Sequence, residues 1–134
     1  MQIAVMKRNL QGVLKNVKHD VLKIIFKHIS RNDCVVFLYG SLVEGKIANN
    51  ADIDIGIFCH NEIQQHIMSL IRTEVEEKAR TLREIDVIDF SNIKENEFLN
   101  VAFKRIRLWH EGKNMRECFA EFRSNFIQKN NIDD

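Results

Sequence analysis

Apolar residues recur every three or four positions in two long stretches of the chain, and this spacing is typical of amphipathic helices. The first stretch predicts a helix over about residues 12–30, and the second predicts one over about residues 62–81. Nearly continuous apolar runs lie between these helices and after the second one, and such runs are typical of buried strands. The predicted strands are Cys34–Tyr39, Asp52–Cys59 and Glu84–Phe90.

The last third of the chain carries shorter patterns. Ser91 is a suitable N-cap for a short helix that runs to Lys104, and alternation over Ile106–His110 predicts a fourth strand. One apolar stripe predicts a final helix, and it consists of Met115, Phe119, Phe122 and Phe126. This order of elements predicts an α/β (α+β) sandwich, in which helices pack on a mixed sheet of about four strands. The 134 residues are expected to form a single domain over 1–134.

Composition and charge narrow the class of protein. Apolar residues make up 45% of the chain and charged residues 29%, as in ordinary globular proteins. Lys and Arg number 20 against 19 Asp and Glu, so the net charge of +1 argues against direct nucleic-acid binding. The sequence shows no signal peptide and no run of membrane-spanning length, so we expect a cytoplasmic protein without membrane contact. The three cysteines lack a Cys-x-x-Cys pair and are interpreted as free thiols.

Two short motifs carry the candidate chemistry. Gly40 and Ser41 follow the first apolar run, and Asp52 and Asp54 open the second one after ten intervening residues. In a strand both aspartates point to the same face with their Cα atoms about 7 Å apart, so their side chains can converge on Mg²⁺ or Mn²⁺. Glycine lets the backbone approach a ligand, and a serine that starts a helix favours phosphate binding there. Either motif alone is more often a plain turn or a solvated strand face, but the combination favours a phosphate and metal site.

This combination resembles the signature of the DNA polymerase beta nucleotidyltransferase superfamily, and the chain is similar in size to its minimal nucleotidyltransferases (MNT). The resemblance implies that the Gly40-Ser41 loop binds the triphosphate of ATP. It also implies that Asp52 and Asp54 bind two Mg²⁺ ions, or Mn²⁺ in their place, and that a later strand supplies a third carboxylate. Strand parity places Asp86 and Asp89 on opposite faces. The family pattern selects Asp86 as the third catalytic and metal-binding acid, and leaves Asp89 as a structural one.

The sequence departs from the family pattern at two places. Many minimal nucleotidyltransferases carry Ala-Arg-Gly after the Gly-Ser pair, where this chain has Val43-Glu44-Gly45. An acid thus replaces a base beside the expected phosphates, which weakens nucleotide binding unless another cation such as Lys46 substitutes. Ala51 stands where the family often has serine, which removes a hydroxyl contact but no metal ligand.

The resemblance implies a Mg²⁺-dependent enzyme that transfers AMP from ATP to a tyrosine of a HEPN-domain toxin, and so acts as the antitoxin of a toxin-antitoxin pair. Asp86 would also take the proton of the acceptor. The departure at Glu44 motivates an alternative, in which a weak or inactive member of the fold neutralises a HEPN partner by binding alone. Homo-oligomers and hetero-oligomers both remain open. His60 is interpreted as a loop residue outside the site, and Ser41 lacks the Gly-x-Ser-x-Gly pattern of serine hydrolases.

Overall fold

The computed structural model describes residues 2–43 and 52–132. Helices and strands follow one another along this part of the chain in the order that the apolar patterns predict. The elements are α1 (Gln2–His28), β1 (Val35–Tyr39), β2 (Ile53–Phe58), α2 (Gln65–Lys78), β3 (Ile85–Asp89), α3 (Asn96–Ala102), β4 (Arg107–Glu111) and α4 (Arg116–Ile132). Short 3-10 helices at Arg31–Asp33 and Phe90–Asn92 precede β1 and follow β3.

The described strands form one mixed sheet of four, in the order β3-β2-β1-β4. β2 and β3 are parallel, whereas β1 is antiparallel to both of its neighbours, β2 and β4. All five residues of β1 are buried, as expected for a continuous apolar run in the middle of a covered sheet. The predicted mixed sheet and α+β class are therefore confirmed.

Each face of the sheet is covered by a pair of helices. α1 and α2 pack on one face, where the three isoleucines of β2 are fully buried, as the alternation predicts. α3 and α4 pack on the other face over an aromatic core. The members of that core from the strands and helices include Phe37, Tyr39, Phe58, Phe90, Phe103, Phe119 and Phe126. The odd and even residues of β2 thus serve two different cores.

Gly56 makes room for the aromatic core in the middle of β2. A Cβ atom built on Gly56 would overlap the ring of Phe37 and lie 2.8 Å from the ring of Phe90. The Phe37 and Phe90 rings meet edge to face with centroids 4.8 Å apart, a favourable aromatic geometry. The glycine therefore lets the Phe37 ring lie directly on the neighbouring strand.

Several element boundaries differ from the predicted ones. α1 begins at Gln2 instead of about residue 12, because Gly12 weakens a helix without ending it. α2 is shorter than predicted at both ends and spans Gln65–Lys78. Ser91 does not cap the next helix, which begins at Asn96 with Glu95 as its N-cap residue. Instead the Oγ of Ser91 accepts a hydrogen bond from the backbone N–H of Cys59 at 2.8 Å.

Two further findings concern the cysteines and the apolar character of the helices. All three cysteines are free thiols, as predicted, and burial raises the pKa of Cys34 to about 11. None of the helices within residues 2–43 and 52–132 has the length and apolar character that crossing a membrane requires.

Candidate active site

Asp54 occupies the second position of β2, between two strands that each bring a polar residue to it. In β1 its register partner is Tyr39, and in β3 its partner is Asp86. Neighbouring strands lie about 4.8 Å apart, so in-register residues of one sheet stand side by side and share a face. Asp52 immediately precedes β2 and has the same parity as Asp54. The structure thus brings Asp52, Asp54 and Asp86 to one corner of the sheet.

The electrostatics of this corner are those of crowded carboxylates. Burial raises the pKa of Asp54 to about 6, and the nearby charges of Asp86 and Asp52 add to the shift. The pKa of the Tyr39 hydroxyl is also raised, first by burial and then by Asp54 and Asp86. Each added negative charge here is unfavourable, and a divalent cation would relieve the repulsion.

The Gly40-Ser41 bend lies directly against Asp54. Gly40 has a φ of +84°, a conformation that glycine adopts without the steric cost of a side chain. A Cβ atom built on Gly40 would overlap Oδ2 of Asp54, so any other residue here would have to displace the carboxylate. The backbone N–H of Val43 donates to the carbonyl of Gly40 at 3.2 Å and closes the turn. The predicted phosphate-binding bend and the predicted metal ligands therefore lie next to each other.

Part of the predicted loop lies outside the described residues. The chain forms a turn over residues 41–43. Glu44 and Ala51, the two departures from the family pattern, lie outside the described residues, and so does Lys46. The structural role of Glu44 thus remains a prediction from the sequence.

The three aspartates suit Mg²⁺ or Mn²⁺ by their chemistry, since hard cations prefer carboxylate oxygens. Across residues 2–43 and 52–132, however, no three His, Cys, Asp or Glu side chains form a ready-made group for a metal ion. Asp52 and Asp86 are exposed, so their side chains can turn toward a cation at small cost. The three carboxylates thus offer the oxygen ligands that a divalent ion prefers, and their metal role stays a prediction.

Asp89 and His60 lie apart from this corner. The two carboxylate oxygens of Asp89 accept hydrogen bonds from the backbone N–H groups of Ile63, at 2.8 Å, and Ser91, at 2.9 Å. Asp89 therefore ties the end of β3 to the loop before α2, which agrees with its interpretation as a structural acid. His60 is exposed and follows the far end of β2, about 20 Å from Asp54 at the rise of a strand.

Sequence reasoning missed Tyr39 as a member of the site. The sequence pattern shows Tyr39 only as the end of an apolar strand, yet its register partner is Asp54, and burial, Asp54 and Asp86 all raise its pKa. The missing signal was the pairing of β1 with β2, since strand alternation alone cannot tell which residues of two strands face each other.

Sequence reasoning also missed a cleft beside the site. A cavity of about 600 Å³ lies between α2 and β3, and both Asp52 and Asp86 contribute to its wall. Arg72 of α2 is also in this wall, and its Nε donates to the carbonyl of Val87 at 2.9 Å. β3 is an edge strand, so Arg72 covers a carbonyl that would otherwise face outward. Arg72 has no signature of its own in the sequence, because it lies on the polar side of a helix.

Comparison with known proteins places this arrangement in a family. The family model described as polymerase beta, nucleotidyltransferase matches residues 19–112. No curated protein sequence matches the chain significantly.

Several solved structures share the fold at low sequence identity. A toxin-antitoxin complex with AMP-PNP contains a chain that is 15% identical, with a TM-score of 0.65 over 87% of this chain and 90% of that one. A structure of the MNT antitoxin with the tri-AMPylated HEPN toxin of Shewanella oneidensis contains a chain that is 13% identical. Its TM-score is 0.61 over 87% of this chain and 88% of that one. A chain of the toxin-antitoxin MntA-HepT structure is 13% identical, with a TM-score of 0.61 over 87% of this chain and 89% of that one.

Because these identities are low, the solved structures establish only the shared fold. Membership in a family is shown by the match to the family model. Its match covers all four described strands of the sheet, the Gly40-Ser41 bend and the three candidate aspartates. It also covers more than half of the chain. The protein therefore belongs to the polymerase beta nucleotidyltransferase family.

Proposed function

We propose that this protein is a Mg²⁺-dependent nucleotidyltransferase that moves AMP from ATP to a hydroxyl of a partner protein. One observation supports this most strongly: Asp54 is in register with Asp86, and the backbone of Gly40 lies directly against the carboxylate of Asp54. In such an arrangement the pair of acids can hold a metal ion, and the glycine bend can bind the phosphates of the nucleotide.

The residues of the chain have separate tasks in this proposal. Gly40 and Ser41 orient the triphosphate, so that its α-phosphorus lies near the acids. Asp52, Asp54 and Asp86 hold Mg²⁺, with two ions expected, and the bound metal supplies positive charge to the triphosphate and to the departing pyrophosphate. Asp86 accepts the proton of the acceptor hydroxyl. The acceptor oxygen forms a bond to the α-phosphorus as the bond to pyrophosphate breaks.

We further propose that the acceptor is a HEPN-domain toxin and that this single-domain cytoplasmic protein is its antitoxin. Support comes from two neighbouring structures of the same fold: one is an MNT antitoxin in complex with a tri-AMPylated HEPN toxin, and the other is a toxin-antitoxin complex with AMP-PNP. A tyrosine of the toxin is the expected acceptor. A hetero-oligomer with the toxin is the expected assembly.

The proposal is tested by the mass of the partner. We expect a HEPN protein encoded beside this gene to gain one or more AMP adducts when co-expressed with this protein, as measured by intact mass spectrometry. The Asp52→Ala/Asp54→Ala double variant should leave the partner unmodified. A Glu62→Ala/Glu77→Ala variant, which removes two exposed carboxylates elsewhere, should modify it normally. Adducts at the usual level with the aspartate variant would refute the assignment.

The departure at Glu44 favours one alternative function, neutralisation of the toxin by contact alone. An acid beside the expected phosphates weakens nucleotide binding. The two functions separate in the same strains, because contact neutralisation survives the loss of Asp52 and Asp54 whereas modification does not. Growth rescue by the double variant, with an unmodified partner, would favour the alternative.

A further inference from the structure

Two cysteines lie opposite each other in neighbouring strands, at the end of the sheet away from the candidate site. The pairing of β1 with β2 places Val35 against Phe58, and the same register continued by one residue places Cys34 against Cys59. The backbone of Cys34 is extended, with a φ of −144° and a ψ of 157°, so the direction of the strand already holds at this residue. Both side chains contact the core under α1 and α2, so they lie on the same face of the sheet.

The backbone hydrogen bonds of the two cysteines show which kind of cross-strand pair they form. The N–H of Cys59 donates to Ser91 Oγ at 2.8 Å, on the side of β3. The carbonyl of Cys34 accepts from the N–H of Gly112 at 2.9 Å, on the side of β4. Both groups point away from the opposite cysteine, so the two residues form a non-hydrogen-bonded pair. Side chains approach each other most closely in pairs of this kind.

A pair of this kind meets the geometric requirement for a disulfide. Its Cα atoms lie about 4.5 Å apart, and disulfides join residues whose Cα atoms are about 4.4–6.8 Å apart. The electrostatics agree with this proximity, because burial raises the pKa of Cys59 to about 12 and the charge of Cys34 adds to the shift. Cys118 is different, because its side chain packs against the core under α3 and α4 on the other face of the sheet.

One of the two thiols is accessible to a small molecule. A cavity of about 460 Å³ lies between the end of α1 and the loop before α2, and Cys59 belongs to its wall. This volume is typical of sites that admit small molecules. Cys34 is fully buried, so a reagent meets Cys59 first.

We propose that Cys34 and Cys59 are a reversible oxidation site, at which small disulfide compounds in excess produce a bond that fastens β1 to β2. The Cys59 thiolate attacks one sulfur of the compound, so that a mixed disulfide forms and one small thiol leaves. The Cys34 thiolate then attacks Sγ of Cys59, so that the Cys34–Cys59 bond forms and the second small thiol leaves. The two cysteines are oxidised, the compound is reduced, and the two cysteine protons pass to the released thiols.

The bond should stabilise the fold and be independent of the proposed function. It closes a loop over residues 35–58, which contains the Gly40 bend and Asp54. A closed loop of this length restricts the unfolded chain, so the Tm of the oxidised protein should rise by about 10 °C.

Peptide mapping after oxidation tests the proposal on the unaltered protein. The protein is incubated with 2-hydroxyethyl disulfide, blocked with N-ethylmaleimide and digested with trypsin, which cleaves between the two cysteines at Lys46. Mass spectrometry should detect a peptide pair linked through Cys34 and Cys59. Dithiothreitol should separate the pair and return the Tm to its starting value.

Two variants separate the steps of the reaction. Cys118→Ala should form the bond normally, whereas Cys34→Ala should retain the reagent on Cys59 as a mixed disulfide. In the unaltered protein, with its circular dichroism spectrum preserved, three results would overturn the inference. These are free thiols at both Cys34 and Cys59, a mixed disulfide at Cys59 without the cross-strand bond, and a cross-strand bond that leaves the Tm unchanged or lowers it.

Discussion

Asp54 is the residue that links every part of the candidate site. Its neighbours in the sheet are Tyr39 and Asp86, its carboxylate lies against Gly40, and Asp52 adds a further charge nearby. The spacing of Gly40-Ser41 and the two aspartates predicted this meeting, because both motifs border strands. The contribution of Tyr39 could not be predicted, because it depends on which residues of two antiparallel strands are in register.

The raised pKa of Asp54 predicts a specific pH dependence of stability. Its pKa in the folded state is about 6 against 3.8 for a free carboxyl, so the folded protein binds this proton more tightly than the unfolded chain does. The contribution of Asp54 to the free energy of unfolding therefore falls as the pH rises from 3.8 to about 6. Asp54→Asn should raise the Tm near neutral pH and remove this part of the pH dependence.

Thermal melts at several pH values, with and without MgCl₂, check this prediction. Mg²⁺ should raise the Tm of the unaltered protein near neutral pH and leave that of Asp54→Asn unchanged. Asp20→Asn is a useful contrast, because Arg80 holds the pKa of Asp20 below its usual range and this substitution should lower the Tm instead. A lower Tm for Asp54→Asn near neutral pH would contradict the account of the acid cluster.

Gly40 is expected to be important for both stability and nucleotide binding. Gly40→Ala introduces a side chain at a φ of +84° and drives its Cβ into Oδ2 of Asp54, so the free energy of unfolding should fall by about 2 kcal/mol. Urea denaturation measures the loss. AMP-PNP binding should be lost as well, even at temperatures where the variant is fully folded, because Asp54 must move. Normal binding by the folded variant would show that the bend and the carboxylate act independently.

At the scale of elements, periodicity predicted which segments are helices and strands better than where they end. The three isoleucines of β2 face one core and Gly56 faces the other, as alternation requires. The early start of α1 was missed because Gly12 weakens a helix without ending it, and the late start of α3 was missed because that boundary depends on a tertiary contact. Ser91, for example, caps no helix and instead accepts a hydrogen bond from Cys59.

Gly12 tests the account of α1. It lies inside this helix, and a Cβ atom built on it meets nothing within 4 Å. Gly12→Ala should therefore raise the free energy of unfolding by about 1 kcal/mol, the usual difference between the two residues in a helix. Urea denaturation measures this gain, with Gly40→Ala as the opposite case. A loss of stability in Gly12→Ala would mean that the chain near residue 12 is not helical.

At the scale of the whole molecule, the sheet divides the protein into two cores and gathers its acids at one corner. The mixed four-strand sheet of the described residues followed from the sequence pattern. The order β3-β2-β1-β4 did not, because apolar runs carry no information on which strands pair. That order puts β3 at an edge of the sheet, beside the cleft between α2 and β3.

We propose that this protein, through Asp52, Asp54 and Asp86, transfers the AMP portion of ATP to a partner protein. The most direct measurement compares ATP labelled at the α-phosphate with ATP labelled at the γ-phosphate, each incubated with MgCl₂, this protein and its HEPN partner. We predict that the partner gains label from the α-phosphate alone, and that Asp52→Asn/Asp54→Asn abolishes the transfer. Label from the γ-phosphate, or full labelling by the double variant, would contradict the account.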